Sequence, residues 1–572
     1  MSARKRRREE TRAPEQGAPA LSGVAATTEM KWWLARAPLV AAAVAFLVYA
    51  PSLAGGFLYD DGNLILRNPS IRDLRAVGTI LRYEPARPLL NLTWGLNYAV
   101  GGLTAWPYHL VNIAIHAANA ALLFSLFLWM GQRLKRPDPR PAALLGACLF
   151  AASPMAAETV AYVASRSSAL GALFALASLR VAVGVLGGGP RSRLGLSLAL
   201  FLLALVTKEE AAALPFLLLL LDFFFVAGQR WSDLRKRILI HACFLGLVPL
   251  GLVARWWVTG SWLPAPAIPP GLYLLTQWAA FPLYFFRALV PFDPAFYRYH
   301  RPASWPPDAP TLALALLAVT LALVVLRRRR EWPEWAFAVL CLAAGLLPSS
   351  SLVALQEMVV DHRAYLGSFG VAFAVGGLLW KLGQARLGIL VVALLAARSL
   401  HYEWVLADPV RAWEDAVRRA PTSPDAICAL AESYKARNDP RAEALFKEAV
   451  RLNPRNARYW ANLGVYYTER GRLEEAAKAM GAAAREAPGD AAIRDLLGIV
   501  FEGLGRDDEA RAEFEAALAA EPDFAQAHIN LAALLLRRGE QARARVLLET
   551  ASRLPIEPQE ADRIVKLQRQ LR

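Results

Sequence analysis

The chain has 572 residues, of which 56% are apolar and 20% charged, and its formal net charge is +16. That length is too great for a single core, and the low charge content excludes an ordinary soluble composition along the whole chain. Nor does the basic balance mark a nucleic-acid binder: the Lys and Arg residues fall in short clusters between apolar runs, and no base-reading element accompanies them.

The N-terminal MSARKRRREE and the polar stretch after it predict a disordered, basic cytoplasmic tail over 1–36. The apolar run 37–54 is close to full span length and begins too late for a signal peptide, so a retained anchor is expected. Further span-like runs follow at 108–130, 141–160, 167–186, 194–207, 210–228, 237–254, 310–326, 332–349, 365–381 and 385–400. The run 272–290 holds Gln277, Pro282 and Arg287, and is expected to be re-entrant or interfacial. Basic loops at 132–140, 191–193, 230–237, 327–330 and 381–386 all fall on the side of the tail if eleven runs cross and 272–290 does not. The loop 55–107 and everything after Leu400 then lie outside, and the Ala/Arg/Leu-rich composition suits a bacterial inner membrane. Cys148, Cys243, Cys341 and Cys428 have neither disulfide nor metal-site spacing and read as small hydrophobes.

From Trp404 onward charge is dense, and Pro454, Pro488 and Pro522 recur every 34 residues. That period, with Leu463-Gly464, Ala476 and Ala483 repeated as Leu497-Gly498, Ala510 and Ala517, is the signature of tetratricopeptide (TPR) repeats. The expected organisation is all-α: a polytopic membrane domain over 37–403 and a TPR solenoid over 404–572. Its units fall near 423–454, 455–488, 489–522 and 523–556, with a capping helix behind them.

The loop after the first span carries adjacent Asp60 and Asp61. Such a pair can supply a general base, bind a divalent cation or remain solvated loop charge. Ionisable groups at the edge of apolar runs usually have a partner or a role. Glu158, Arg166, Lys208, Glu209, Asp361, His362 and Arg363 all fall at the outside ends of their runs, while Asp222 falls toward the inside and reads as structural.

The blocks FLYDDGNLILRNP, RPLLNLTWGLNYAVGGLTAWPYHLVNIAIH, ALVTKEEAAALPF and LLPSSSLVALQEMVVDHRAYLGS stand in this order before TPR units. Together they resemble the transmembrane and TPR-repeat O-mannosyltransferases, GT-C-class membrane glycosyltransferases. The resemblance implies a polyprenyl-phosphate sugar donor, a protein Ser or Thr acceptor presented by the TPR groove, and inversion at the sugar. It implies Asp60 as catalytic base with Asp61 orienting it, and Arg363, Lys208 and Arg166 as binders of the donor phosphate. Glu158, Glu209, His109, Asp361 and His362 are further site residues, and Asp60, Asp61 and Glu158 are the candidates for holding a divalent cation. Many relatives carry HPxHxE where this chain has Ser153-Pro-Met-Ala-Ala-Glu158, lacking both histidines. The alternative is a non-catalytic membrane-anchored TPR scaffold for an extracytoplasmic assembly.

Overall fold

A computed structural model of the protein describes residues 28–260, 268–298, 300–350, 358–554, 556 and 558–571. The described part is helical, with α1 Thr28–Tyr49, α2 Val77–Tyr83, α3 Pro88–Gly101, α4 Trp106–Arg133, α5 Arg140–Ala151, α6 Ala157–Ala161, α7 Arg166–Leu186, α8 Arg193–Leu205 and α9 Leu214–Leu221. There follow α10 Trp231–Arg235, α11 Ile238–Thr259, α12 Pro270–Leu289, α13 Ala309–Arg328, α14 Pro333–Leu346, α15 Phe369–Lys381, α16 Ala385–Leu406 and α17 Pro409–Arg419. The repeat helices are α18 Pro424–Ala436, α19 Arg441–Leu452, α20 Ala457–Glu469, α21 Leu473–Glu486, α22 Ala491–Gly503, α23 Asp507–Ala520, α24 Ala525–Arg537, α25 Gln541–Ala551 and α26 Pro558–Gln570. The basic tail expected over 1–36 lies outside the described residues up to 27, and from Thr28 the chain is already part of α1.

Among the described residues six helices are long and apolar enough to cross a membrane, and seven if the bent pair Arg140–Ala151 and Pro154–Ala161 is one span. The helices α8, α14 and α15 are apolar but shorter. The protein is therefore built as a membrane protein. Small residues permit its closest helix contacts. A Cβ added to Gly376 would meet Gly146 Cα at 2.8 Å, joining α15 to α5, and one added to Gly345 would meet Gly367 Cα at 2.7 Å. The outer helices α11 and α13 bury only 11% of their most apolar windows and leave the rest to lipid.

The helix α12 is not among the spans. Its first turn is held by Tyr273 donating to Ser349 O, Phe285 reaches a cleft shared with Leu321 and Val324, and beyond its last turn Pro291 lies beside Leu395. The chain then returns to the repeat domain, where Phe296 meets Trp413. The first turn of α12 and its last both meet the chain around 349–361, through Tyr273 to Ser349 O and Arg287 3.8 Å from Asp361. Pro282 inside it and the buried Gln277, which donates to Met358 O at 2.7 Å, suit a segment packed within protein rather than against lipid.

In the solenoid the first helices of the second and third units start at a side-chain cap placed just after the repeat proline. The side chains of Asn456 and Asp490 accept from Arg458 N and Ile493 N. The turn between paired helices needs a left-handed residue, supplied by Gly471, Gly505 and Gly539 at the repeat period and by Asn438 in the first unit. Ala442, Ala476, Ala510 and Ala544 are fully buried where paired helices cross.

Candidate active site

The turn after the first span is built around Asp61. Its side chain is completely buried, and its two oxygens accept from Leu58 N at 2.9 Å and Ala164 N at 2.7 Å. Asp61 thereby ties its own loop to the chain leading into α7. Burial pushes its carboxyl up to about 7, against the opposing pull of the two amides. Tyr59 occupies the same turn at φ 43°, a left-handed conformation that costs a bulky residue on the order of 1–2 kcal/mol and persists only where neighbours impose it.

Asp60 faces the accessible side. Its backbone N–H donates to Tyr162 Oη at 3.0 Å. Partial withdrawal of water raises its carboxyl above the ordinary range, while the Tyr162 hydroxyl and the Arg87 guanidinium pull the other way. Arg87, at the foot of α3, is half-buried and donates to Glu209 Oε1 at 2.9 Å. Neighbouring Lys208 is buried, donates to Ser168 Oγ at 2.8 Å and lies 3.5 Å from Glu210. Lys208 is also within electrostatic reach of Glu158.

Glu158 is buried with both oxygens occupied by one residue: Oε1 lies 2.6 Å from His362 Nδ1, and Oε2 accepts from His362 N at 3.2 Å. Asp361, beside it, is held by Arg298 at 3.1 Å and Arg287 at 3.8 Å. Asp60, Arg87, Glu209, Lys208, Glu158, His362, Asp361 and Arg298 thus form a connected polar seam drawn from six separate stretches of chain.

Other residues singled out by sequence stand differently. Arg166 does not fit the expected role as a phosphate ligand. It is fully buried and spends its guanidinium on Asn112, Thr93, Asn97 and Tyr108 O at 2.7–3.0 Å, so it staples α3 and α4 to α7. Arg363 is buried on the α12 side, near Tyr284 and 3.5 Å from Met358 O. His109 is buried against the loop, its Nε2 in ordinary contact with the Gly55 position. Asp222 is buried toward the other end and paired with Arg237 and with His241 at 2.8 Å, a structural cluster.

A cage for a divalent cation is not formed by Asp60, Asp61 and Glu158, because Asp61 and Glu158 direct their oxygens to separate N–H donors. Among the described residues no group of three or more His, Cys, Asp or Glu side chains could hold a metal ion.

Sequence reasoning missed Arg87, Tyr162 and Arg298. Arg87 opens a quoted block but resembles any loop cation, and Tyr162 resembles a core aromatic. Only the fold brings them to Asp60 and Asp361.

Beside the Arg87–Glu209 pair, an apolar groove of about 280 Å³ runs between α8 and α11. It is lined by Pro85, Pro88, Leu205, Val248, Leu252 and Val258, with Arg255 on its wall. Its lining residues Val206, Leu252 and Val258 are themselves exposed apolar side chains, so the groove opens sideways.

The tetratricopeptide-repeat family matches residues 428–491 and 496–556, which establishes the C-terminal domain as a TPR solenoid. The chain is similar to protein O-mannosyl-transferase Tmtc1 of Drosophila melanogaster, at 32% identity over 205 residues, covering 33% of this chain and 23% of that one. Its similarity to human protein O-mannosyl-transferase TMTC2 is 32% over 156 residues, covering 25% and 18%. The match to mouse protein O-mannosyl-transferase TMTC3 is longer, 23% identity over 538 residues, covering 82% of this chain and 53% of the relative. The chain thus spans about a fifth of the length of the first two relatives and about half of the third.

Proposed function

We propose that the protein is an integral membrane glycosyltransferase that moves a mannose-like hexose from a polyprenyl-phosphate donor to a hydroxyl acceptor, with inversion. The acceptor is a protein Ser or Thr presented by the TPR groove. The observation that carries this reading is the placement of an accessible carboxylate, Asp60, within electrostatic reach of Arg87 at the mouth of a lateral apolar groove. A sugar linked to lipid by phosphate needs these three features side by side: a base, an anion partner and a lipid-facing slot.

In this reaction the Asp60 carboxylate takes the acceptor's O–H proton. The freed oxygen attacks the anomeric carbon, and the bond from that carbon to the phosphate oxygen breaks. Its electron pair leaves with the polyprenyl phosphate, whose charge is met by Arg87 and Lys208. Asp61 does not exchange protons with substrate; it holds the turn. The groove takes the isoprenoid chain. No step is routed through a metal ion.

The repeat domain packs against the Asp60 turn, so both lie on the same side of the membrane. The distribution of basic loops supports the outward side for both, with the N-terminus cytoplasmic, and the Ala/Arg/Leu-rich composition suits a bacterial host.

The scaffold reading is favoured by the missing histidines of the 153–158 segment. Against it, an imidazole does stand at Glu158, supplied by His362 from a different loop. Transfer of labelled hexose from polyprenyl-phosphate hexose to protein in membranes decides between them. The parent chain is expected to transfer and Asp60→Asn to lose at least about 100-fold. Equal signal from both, at equal protein level, would favour the scaffold.

A further inference from the structure

The helix α17 lies between the last membrane helix and the first repeat unit, and it touches the site twice. On one side Trp413, almost fully buried, packs edge-on against Tyr59 with ring centroids 5.3 Å apart and against Phe296 at 5.2 Å. Phe296 in turn packs against Tyr162 at 5.4 Å. Tyr59 precedes Asp60 in the chain, and Tyr162 accepts the Asp60 amide. The indole therefore supports the turn from both directions. On the other side Arg419 bonds Asp293 and, at 2.7 Å, Asp415, while Asp293 and Asp361 share Arg298. Two turns of one helix thus join the repeat domain to both ends of the polar seam.

Tyr59 makes the aromatic contact more than packing. Its left-handed backbone has to be imposed, and its ring lies against Trp413 and Phe296. Remove the indole and Tyr59 can relax to a negative φ, which rotates the next peptide and redirects Asp60.

We propose that Trp413 is a positioning residue for the Asp60–Asp61 turn, so that α17 couples the state of the repeat domain to the geometry of the carboxylate pair. The assignment of a catalytic consequence rests on the glycosyltransferase reading; the control of the turn does not. Coupling of this kind is reciprocal: a polypeptide that binds the repeats and shifts α17 alters the turn, and a ligand at the turn alters binding at the repeats by the same factor.

Hydrogen exchange of the full-length protein in lipid nanodiscs tests the structural half. The amides of Leu58, Asp60, Asp61, Gly62, Asn63 and Leu64 are all hydrogen-bonded and so report on the turn. Trp413→Ala is expected to speed their exchange at least about tenfold while amides of α20–α25 stay as in the parent. Trp413→Phe is expected to restore most of the protection. In a Tyr59→Gly background, where the left-handed turn needs no imposed ring, Trp413→Ala can act only through Phe296 and Tyr162 and is expected to speed exchange in the turn clearly less than in the parent. Unchanged exchange at 58–64 in Trp413→Ala, or an equal effect in the Tyr59→Gly background, overturns the proposal. Should Trp413→Ala not accumulate, Trp413→Leu in the same two backgrounds gives the same comparison. The catalytic half is read from transfer with polyprenyl-phosphate mannose: kcat falls in Trp413→Ala while KM for the donor stays. If the parent transfers nothing, the glycosyltransferase reading fails and the exchange result still decides the positioning role.

Discussion

Asp60 and Asp61 are neighbours in sequence and opposites in environment. One is buried with both oxygens on backbone amides; the other is accessible and answers to a hydroxyl and a guanidinium. The proposed base is active when ionised, and its carboxyl is raised above the ordinary Asp range. Transfer is therefore expected to rise with pH beyond the point where a free Asp is already ionised, and this acid limb should vanish in Asp60→Asn. Tyr162 and Arg87 both lower the Asp60 pKa, so Tyr162→Phe is expected to move the midpoint upward. A downward or null shift in a kcat/KM profile would remove Tyr162 from the site. Asp61→Asn keeps one acceptor but turns an amide group toward a backbone N–H. Leaving that donor unsatisfied is expected to cost about 1–3 kcal/mol, read as a lower Tm in detergent.

The repeat units show how one register is filled in two ways. In the second unit Gly464 faces Met480, and in the third Gly498 faces the ring of Phe514, with an added Cβ meeting the nearest side-chain atom at 2.7 Å and 2.6 Å. Replacing glycine by alanine in a helix gains up to ~1 kcal/mol of propensity, whereas overpacking costs ~1–3 kcal/mol. Both side chains are buried, but the unbranched Met480 can re-pack by rotating its chain whereas the rigid Phe514 ring cannot. Gly464→Ala is expected to be near neutral and Gly498→Ala to destabilise by ~1–2 kcal/mol, measured by thermal unfolding of the full chain. The opposite order would mean that the two crossings relax differently from their side chains. The period, the small residues and the prolines of these units were all legible in sequence, because a solenoid uses local contacts and each unit repeats its neighbour's solution.

The whole molecule joins a lateral groove, a polar seam and a TPR solenoid. If the groove receives the donor's lipid chain, a large side chain in it obstructs donor without touching the base. Leu252→Trp is therefore expected to raise the donor KM several-fold with kcat little changed, and Asp60→Asn to do the reverse. A loss of kcat alone in Leu252→Trp would place the lipid chain elsewhere. Stacking of the repeat domain on α17 would also bring acceptor and donor together at Asp60: the solenoid is seated on the turn through Trp413 and on Asp293 through Arg419 rather than merely tethered to the membrane domain.

The apolar runs and the 34-residue period settled by themselves that this is an all-helical membrane protein with a TPR tail, because hydrophobic length and repeat spacing are local properties of a chain. The charged residues gathered at one end of the runs were legible as a set, since each is costly where it stands. Their partners were not. Arg166 resembled a ligand, but tertiary structure turned it into a buried staple with its guanidinium bonds spent on α3 and α4. Arg87 resembled a loop charge, but the fold carried it to Asp60 and Glu209, the latter 122 positions away along the chain. Nothing local records such a meeting, because it is decided by which helices pack together and how deep each side chain ends up.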